Sequence, residues 1–213
     1  MKTFKGDVKE AAKTIGEDGT IKIRDKFGHY IELTEKLKSE IRYRYLNAVK
    51  ACYWHCFEEG VLQPDSLLVL IDANNRALDY TEERLDDWKY IKDVTGSNFL
   101  VKLSSKTINI PCLGFLIKSL LFERVQKAYD IIVNYVDAHK KSILMLQEII
   151  ENDDLVGIIV EEIEDQIEEA EMAIKLKLED AFPDITQAVN QRKAEYFVLR
   201  QQINYVESLD KNG

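Results

Sequence analysis

The sequence has few residues that interrupt regular structure, with three prolines and nine glycines among 213 residues. Proline removes a helical hydrogen bond, and glycine weakens helices and strands, so this scarcity excludes a collagen-like or loop-dominated chain. Hydrophobic residues make up 46% and charged residues 31%. That balance excludes a disordered low-complexity chain and favours long amphipathic helices.

Cysteine is also scarce, because the chain contains only Cys52, Cys56 and Cys112. An odd count without dense spacing excludes the disulfide scaffold of a small secreted protein and indicates a reducing compartment. The first five residues lack the apolar core of a cleaved signal. The longest apolar tract, residues 108–121, is shorter than the roughly 20 residues of a membrane-spanning helix. We therefore expect a cytoplasmic segment that does not itself cross a membrane.

The charge is acidic and unevenly distributed, with a formal net value of −9. Such a chain repels the phosphates of a nucleic acid, so no nucleic-acid partner is expected. Residues 1–50 contain twelve Lys/Arg and eight Asp/Glu, whereas residues 142–174 contain eleven Asp/Glu and neither Lys nor Arg. The default interpretation of this acidic run is a solvated helix face that a basic partner could contact.

The hydrophobic pattern of the N-terminal half predicts two helices. Residues 1–33 form an arm for which a short hairpin and an irregular structure are both open, because residues 20–24 alternate like a strand. A helix is predicted from Thr34 to a stop at Gly60, and a second, antiparallel helix from Pro64 to about Tyr80. Short helical pieces joined by a loop are expected in residues 81–109.

The C-terminal half predicts three long helices. Pro111 precedes the longest periodic run, which keeps one helix face apolar as far as Ile150. A cap at residues 152–154 then starts a second helix, and Pro183 ends that second helix. In the last helix Asp184 and Gln187 resemble a capping box. Its heptad-like seam is interrupted by Arg192 and comprises Ile185, Val189, Tyr196, Leu199, Ile203 and Val206.

These patterns predict an all-α fold, a bundle of long antiparallel helices with an N-terminal arm. The expected divisions are an arm at 1–33, a helical subdomain at 34–109 and a long-helix bundle at 110–213. Trp54 and Trp88 are the expected aromatic anchors of the core, because large rings bury much area where helices meet.

One group of soft ligands is a candidate metal site. Cys52, His55 and Cys56 stand at i, i+3 and i+4, so they share a helical face that could hold zinc. The stronger interpretation is core packing, because both cysteines continue the apolar stripe of their helix. No metal and no cofactor are therefore predicted.

Paired aspartates occur at residues 86–87 and 153–154. Such pairs can hold magnesium diphosphate, but further carboxylates on the same face are missing, and helix capping explains both pairs better. The acidic run lacks a calcium-loop pattern, and no catalytic motif lies near His29, His55 or His139. No catalytic, cofactor or metal residue is assigned, and the chain is predicted not to be an enzyme.

Short motifs in one order give a further indication. They are residues 46–54 (LNAVKACYW), 58–60 (EEG), 77–79 (ALD), 85–88 (LDDW), 123–124 (ER), 138–139 (AH) and the stretch from Ala181-Phe182-Pro183 through Tyr196, Leu199, Tyr205, Glu207 and Leu209. In this order and spacing the chain, over residues 34–210, resembles the region after the membrane part of plant Salt-Overly-Sensitive-type Na+/H+ exchangers. Sperm-type exchangers share much of the pattern.

This resemblance implies a cytoplasmic regulatory and dimerisation domain of a sodium/proton antiporter. The implied parent protein is a homodimer in which such a domain links the membrane transport domain to a cyclic-nucleotide-binding-like domain. No transport residue can be transferred, because the resemblance does not extend to the membrane helices. A free-standing helical adaptor or scaffold is the alternative function, since helical periodicity supports it equally.

Overall fold

A small antiparallel sheet lies at the N-terminal end of the chain. In the computed structural model, which describes residues 14–15, 21–24, 30–95, 114–150 and 152–212, it has the order β1 (Thr14–Ile15), β2 (Ile21–Arg24) and β3 (Tyr30–Glu32). Lys22 of β2 stands opposite Thr14 on one side and Glu32 on the other. The alternating residues therefore do form a strand.

Helices α1 (Glu35–Glu58) and α2 (Pro64–Leu78) begin and end where the sequence predicts. The Thr34 hydroxyl accepts a hydrogen bond from the Leu37 N–H and caps α1. Gly60, with φ of 73°, follows its end. The two helices run antiparallel, because Asn74 Nδ2 of α2 donates to the Leu46 carbonyl of α1, far from the turn that joins them.

Helix α3 (Trp88–Thr95) is the short piece expected in residues 81–109. Residues 79–87 cross from α2 to α3 without long regular structure and place Leu85 and Asp87 in the interior. The rest of that predicted stretch, residues 96–109, lies outside the described residues.

Two long helices, α4 (Gly114–Ile149) and α5 (Asp153–Met172), pack side by side. Asn152 caps α5, because its Oδ1 accepts from the N–H groups of Asp154 and Leu155. A π-helical segment, Ala173–Glu179, extends α5. The predicted apolar faces are confirmed where side chains are described, with Val125, Ala128, Ile132, Tyr135, His139 and Leu146 buried on α4 and Ile159, Ile163, Ile167, Ala170 and Leu178 buried on α5 and its extension.

Helix α6 (Pro183–Asn212) departs from two predictions. The capping box is wrong, because the helix begins at Pro183 and Asp184 lies inside its first turn. The packed seam is wrong beyond its start, since Val189 is buried but the later seam residues are exposed, namely Tyr196, Leu199, Ile203 and Val206. Only the N-terminal part of α6 contributes to the bundle.

The all-α bundle is thus confirmed, and its helices share one hydrophobic core. The largest buried side chains come from both predicted helical divisions and include Tyr45, Leu46, Tyr53, Leu70, Tyr135, Leu146, Ile159 and Ile163. Among the described residues, no helix combines the length and apolar character that a membrane span requires.

Candidate functional site: two buried polar clusters between the helices

An arginine cluster joins α1 to α5. Arg42 lies beside Ile41 on the buried face of α1, and Glu162 lies between apolar residues on α5. Arg42 Nε donates to both Glu162 oxygens at 3.2 and 2.9 Å, and Nη2 donates to Oε1 at 2.6 Å. Because Arg42 is 5% and Glu162 9% exposed, this is a charge-assisted ion pair that is largely removed from solvent.

The same cluster fixes the segment between α2 and α3. Arg42 Nη1 donates to the carbonyl oxygens of Thr81 and Glu82 at 3.1 and 3.2 Å. From α5, Gln166 Nε2 donates to the Leu85 carbonyl at 2.8 Å, and its Oε1 accepts from the Trp88 N–H at 3.1 Å. The backbone of a loop is therefore bonded to two helices far away in sequence.

A histidine cluster lies deeper in the bundle and comprises Tyr45, Asp87, Tyr135 and His139. Tyr45 Oη and His139 Nδ1 are 2.7 Å apart, and Tyr135 Oη donates to Asp87 Oδ1 at 3.4 Å. His139 Nε2 lies 3.1 Å from Asp87 Oδ2, within ion-pair distance, although the ring N–H does not point along a hydrogen-bond direction. With the ring proton on Nε2, Tyr45 donates a hydrogen bond to Nδ1, and Nε2 faces Asp87 as an electrostatic contact.

Burial determines the protonation of the phenols in and beside this cluster. Desolvation raises the pKa of Tyr45, Tyr53 and Tyr135 well above the usual value, and the nearby Asp87 carboxylate raises each of them further. The phenols therefore remain neutral hydrogen-bonding groups near neutral pH.

The cluster superficially resembles an acid–base trio, but it has no access to a substrate. All four members are at most 1% exposed, and they belong to α1, the segment before α3, and α4. General acid–base catalysis needs a reacting group within hydrogen-bond reach of the base. The geometry instead suits the mechanical joining of three elements.

The predicted core packing of the cysteines is confirmed. Cys52 and Cys56 are buried, and Cys52 Sγ lies 3.6 Å from Ser142 Oγ of α4. His55 is exposed and lies 3.5 Å from Glu59, so the three soft ligands do not converge. Cys112 lies outside the described residues, within which no cluster of three His, Cys, Asp or Glu side chains is positioned to hold a metal.

The capping role predicted for the paired aspartates is wrong for Asp153 and Asp154 as well as for Asp87, since the cap of α5 is Asn152. Asp153 and Asp154 occupy the first turn of α5, where carboxylates favour the helix dipole. Asp86 is exposed beside Lys89, at 3.5 Å. The capping role predicted for Asp87 is wrong, because its carboxylate turns inward to His139.

The acidic face of α5 is less free than predicted. Glu162 is inside the bundle, so the solvated interpretation is wrong for that residue. Glu169 pairs with Lys92 of α3 at 2.6 Å, and Glu171 pairs with Lys140 of α4. Ion pairs from this face therefore connect α5 to α3 and α4.

The two tryptophans also differ. Trp88 is 3% exposed and its ring centroid is 5.1 Å from that of Tyr135, so its role as an anchor is confirmed. Trp54 is 45% exposed and touches Phe57 edge-on, so the prediction for it is wrong. Arg42 and Glu162 were missed, although each interrupts an apolar helical face, which is the signal that would have found them.

Comparison with known proteins adds independent information. No protein-family model matches the chain. Sodium/hydrogen exchanger 7 of Arabidopsis thaliana is 29% identical over 182 residues, covering 85% of the chain and 15% of that relative. Sodium/hydrogen exchanger 8 of the same plant is 28% identical over 176 residues, covering 82% of the chain and 23% of that relative.

These similarities support the Na+/H+ exchanger family indicated by the sequence motifs. The chain spans less than a quarter of the length of either relative. Both relatives are named as exchangers rather than as enzymes.

Proposed function

We propose that this chain is a cytoplasmic regulatory and dimerisation domain of a sodium/proton antiporter of the Salt-Overly-Sensitive and sperm-type group. It links the membrane transport domain of the parent protein to a downstream cyclic-nucleotide-binding-like domain. The observation that carries the proposal is the similarity to two named sodium/hydrogen exchangers along more than four-fifths of the chain.

The arginine cluster supplies a physical means of coupling. Regulation through a connector requires two states that differ in their contacts. Arg42 and Glu162 are 120 positions apart in sequence, and their bidentate geometry does not tolerate a gradual slide between α1 and α5. The two helices therefore move together as long as the ion pair is intact. When the pair opens, two buried charges lose their partners.

The histidine cluster gives this connector its stiffness. Tyr135 and His139 on α4 contact Asp87, which belongs to the loop held by the arginine cluster, and Tyr45 on α1 bonds to His139. Movement of that loop would disturb both clusters together. In the proposed mechanism, the conformation of the transport domain depends on whether the arginine and histidine clusters are intact.

A chimera tests the proposal. The matching segment of the Arabidopsis exchanger 7 is replaced by this chain, and sodium-dependent proton flux is measured in cells that lack their own exchangers. We expect the chimera to reach the membrane and exchange ions, and Arg42→Met to change its flux at least about threefold at equal surface expression, which corresponds to a coupling of under 1 kcal/mol.

The exposed Arg44 provides the matched control, because it pairs with Glu40 at 2.8 Å on the surface of the same helix. Arg44→Met should leave the flux unchanged. An inactive chimera that is folded and present at the membrane would contradict the proposal. So would equal activity when an unrelated helical bundle of similar length takes the place of this chain, which would favour a free-standing adaptor.

A further inference from the structure

The exposed half of α6 carries an unusual surface. Its α6 seam, defined as Tyr196, Leu199, Ile203 and Val206, has side-chain exposures of 52%, 54%, 47% and 62%. Every side chain described from Ala194 to the end is exposed. Isolated helices of this length are marginal in water, and apolar side chains at alternating steps of three and four are typical of a helix that packs on another.

The seam begins where α6 leaves its own bundle. The last buried or polar contacts with the bundle are Val189 in the core, Asn190 Nδ2 donating to Tyr129 Oη at 2.9 Å, and Lys193 Nζ at 2.7 Å from Asp130 Oδ1. Tyr196, the first residue of the seam, borders a groove that Gly60 and Val61 also line. The seam therefore projects from a firmly anchored base.

We infer that the α6 seam pairs with the same seam of a second copy of this chain, as a parallel two-stranded coiled coil. With Val189 at heptad position a, Tyr196 and Ile203 also fall at a, and Leu199 and Val206 fall at d. Ile203 at a with Leu199 at d matches the combination that favours two parallel strands, and Tyr196 at a and Val206 at d add apolar area to the seam. This inference rests on the proposed dimerisation and identifies the surface through which the two copies make contact.

Charge selects this orientation. Glu195 falls at position g and Arg200 at position e, so a parallel pair places Glu195 of each copy beside Arg200 of the other, twice per dimer. An antiparallel pair that keeps the four apolar layers would bring the two Arg200 side chains together at its centre, which is unfavourable. The parallel arrangement is the one in which these flanking charges attract.

Charge also argues against a membrane as the occupant. Between Tyr196 and Val206 the only charged residue is Arg200, whereas helices that lie on anionic lipid are rich in Lys and Arg. The chain as a whole carries a net charge of −9. Two such acidic copies meet with least repulsion through this nearly neutral part.

The area indicates a weak contact. Half-exposed side chains of this size lose about 100 Å² each on pairing, so the seam buries roughly 400 Å² per copy, against about 800 Å² per partner in a standard interface. Free copies should therefore associate weakly. Copies tethered in one parent protein have a high effective concentration and pair readily.

Cross-linking through one introduced cysteine in the full chain is the appropriate test. In a parallel pair the two residues 203 face each other across the seam, within the span of a disulfide. Under mild oxidant at about 100 µM, a protein concentration at which weak contacts are populated, Ile203→Cys should form covalent dimers at least about tenfold faster than Tyr205→Cys. Tyr205 is more exposed than Ile203, at 65% against 47%, and lies on the opposite side of the helix. The unmodified chain measures the background of its own cysteines.

Three results would overturn the inference. They are equal cross-linking at both positions, dimers that form only when Leu199→Cys and Ile203→Cys chains are mixed, and loss of binding to phosphatidylserine vesicles in Ile203→Asp, which would assign the seam to lipid. None of these results bears on the flux of the chimera, so failure of the seam contact and failure of the proposed exchanger role are distinguishable.

Discussion

Replacing Arg42 by methionine should destabilise the bundle by about 3–5 kcal/mol, the usual cost of removing one partner from a buried ion pair. The variant leaves Glu162 in the interior with the Leu85 N–H at 3.2 Å as a hydrogen-bond donor. It also removes the donor from the carbonyl oxygens of Thr81 and Glu82. Methionine retains most of the side-chain volume, so the loss reports the charge rather than a cavity.

Urea unfolding followed by circular dichroism measures this loss. With a denaturant slope near 2.5 kcal/mol/M, the midpoint should fall by about 1–2 M. The double variant Arg42→Met, Glu162→Leu removes both charges, so it should be more stable than Arg42→Met alone and lose about 1–3 kcal/mol, for the backbone groups left without partners.

A surface pair calibrates the measurement. Arg44 and Glu40 are 2.8 Å apart but more than half exposed, so Arg44→Met should cost about 0.3–0.5 kcal/mol. If Arg42→Met costs no more than Arg44→Met, the arginine cluster is solvated, and the reasoning about coupling between α1 and α5 is refuted.

Two further predictions concern aromatic side chains. In thermal unfolding, Trp88→Ala should lower the free energy of unfolding by about 3–5 kcal/mol and Trp54→Ala by no more than about 1 kcal/mol, because only the Trp88 ring is in the core. Equal losses of stability in the two variants would contradict this packing. Alkali should unfold the chain. Above pH 10 the unfolded state releases phenolic protons that the folded state retains, so the free energy of unfolding decreases by about 1.4 kcal/mol per pH unit for each raised pKa. For Tyr45, Tyr53 and Tyr135 together, the decrease is about 4 kcal/mol per pH unit. Phenolate absorbance equivalent to all ten tyrosines of the chain near pH 10, with helicity intact, would contradict it.

The helices were predictable because their signals are local. Thr34 and Asn152 cap helices through their own side chains, Gly60 adopts the left-handed backbone, and Pro64 and Pro183 occupy first turns. Each of these residues acts on neighbours within four positions. Periodicity over such stretches therefore indicates both the presence and the limits of a helix.

The polar clusters were not predictable, because their contacts are distant in sequence. Asp87 meets His139 across 52 positions, and Arg42 meets Glu162 across 120. Periodicity shows that a charged residue interrupts an apolar face, but it does not show which distant residue will neutralise it. Asp87 was consequently interpreted as a cap and Glu162 as part of a solvated face.

The packing of the outer half of α6 was predicted wrongly for a different reason. A heptad pattern shows that a helix face needs an apolar neighbour, but it does not state in which molecule that neighbour lies. The pattern from Ile185 to Val206 runs on past its interruption at Arg192, whereas burial within the chain ends at Val189 apart from the partly covered Lys193. Trp54 shows the same limit, because its helix has more apolar positions than its own core can cover.

The long separation within the arginine cluster has a consequence for biosynthesis. At 5–20 residues per second, a ribosome needs roughly 6–24 seconds to make the 120 residues between Arg42 and its carboxylate partner. During that interval α1 has been made but its guanidinium has no internal counter-charge, so the nascent N-terminal half cannot close its interior. Docking of α5, which supplies that counter-charge, is therefore a late step in the completion of this domain.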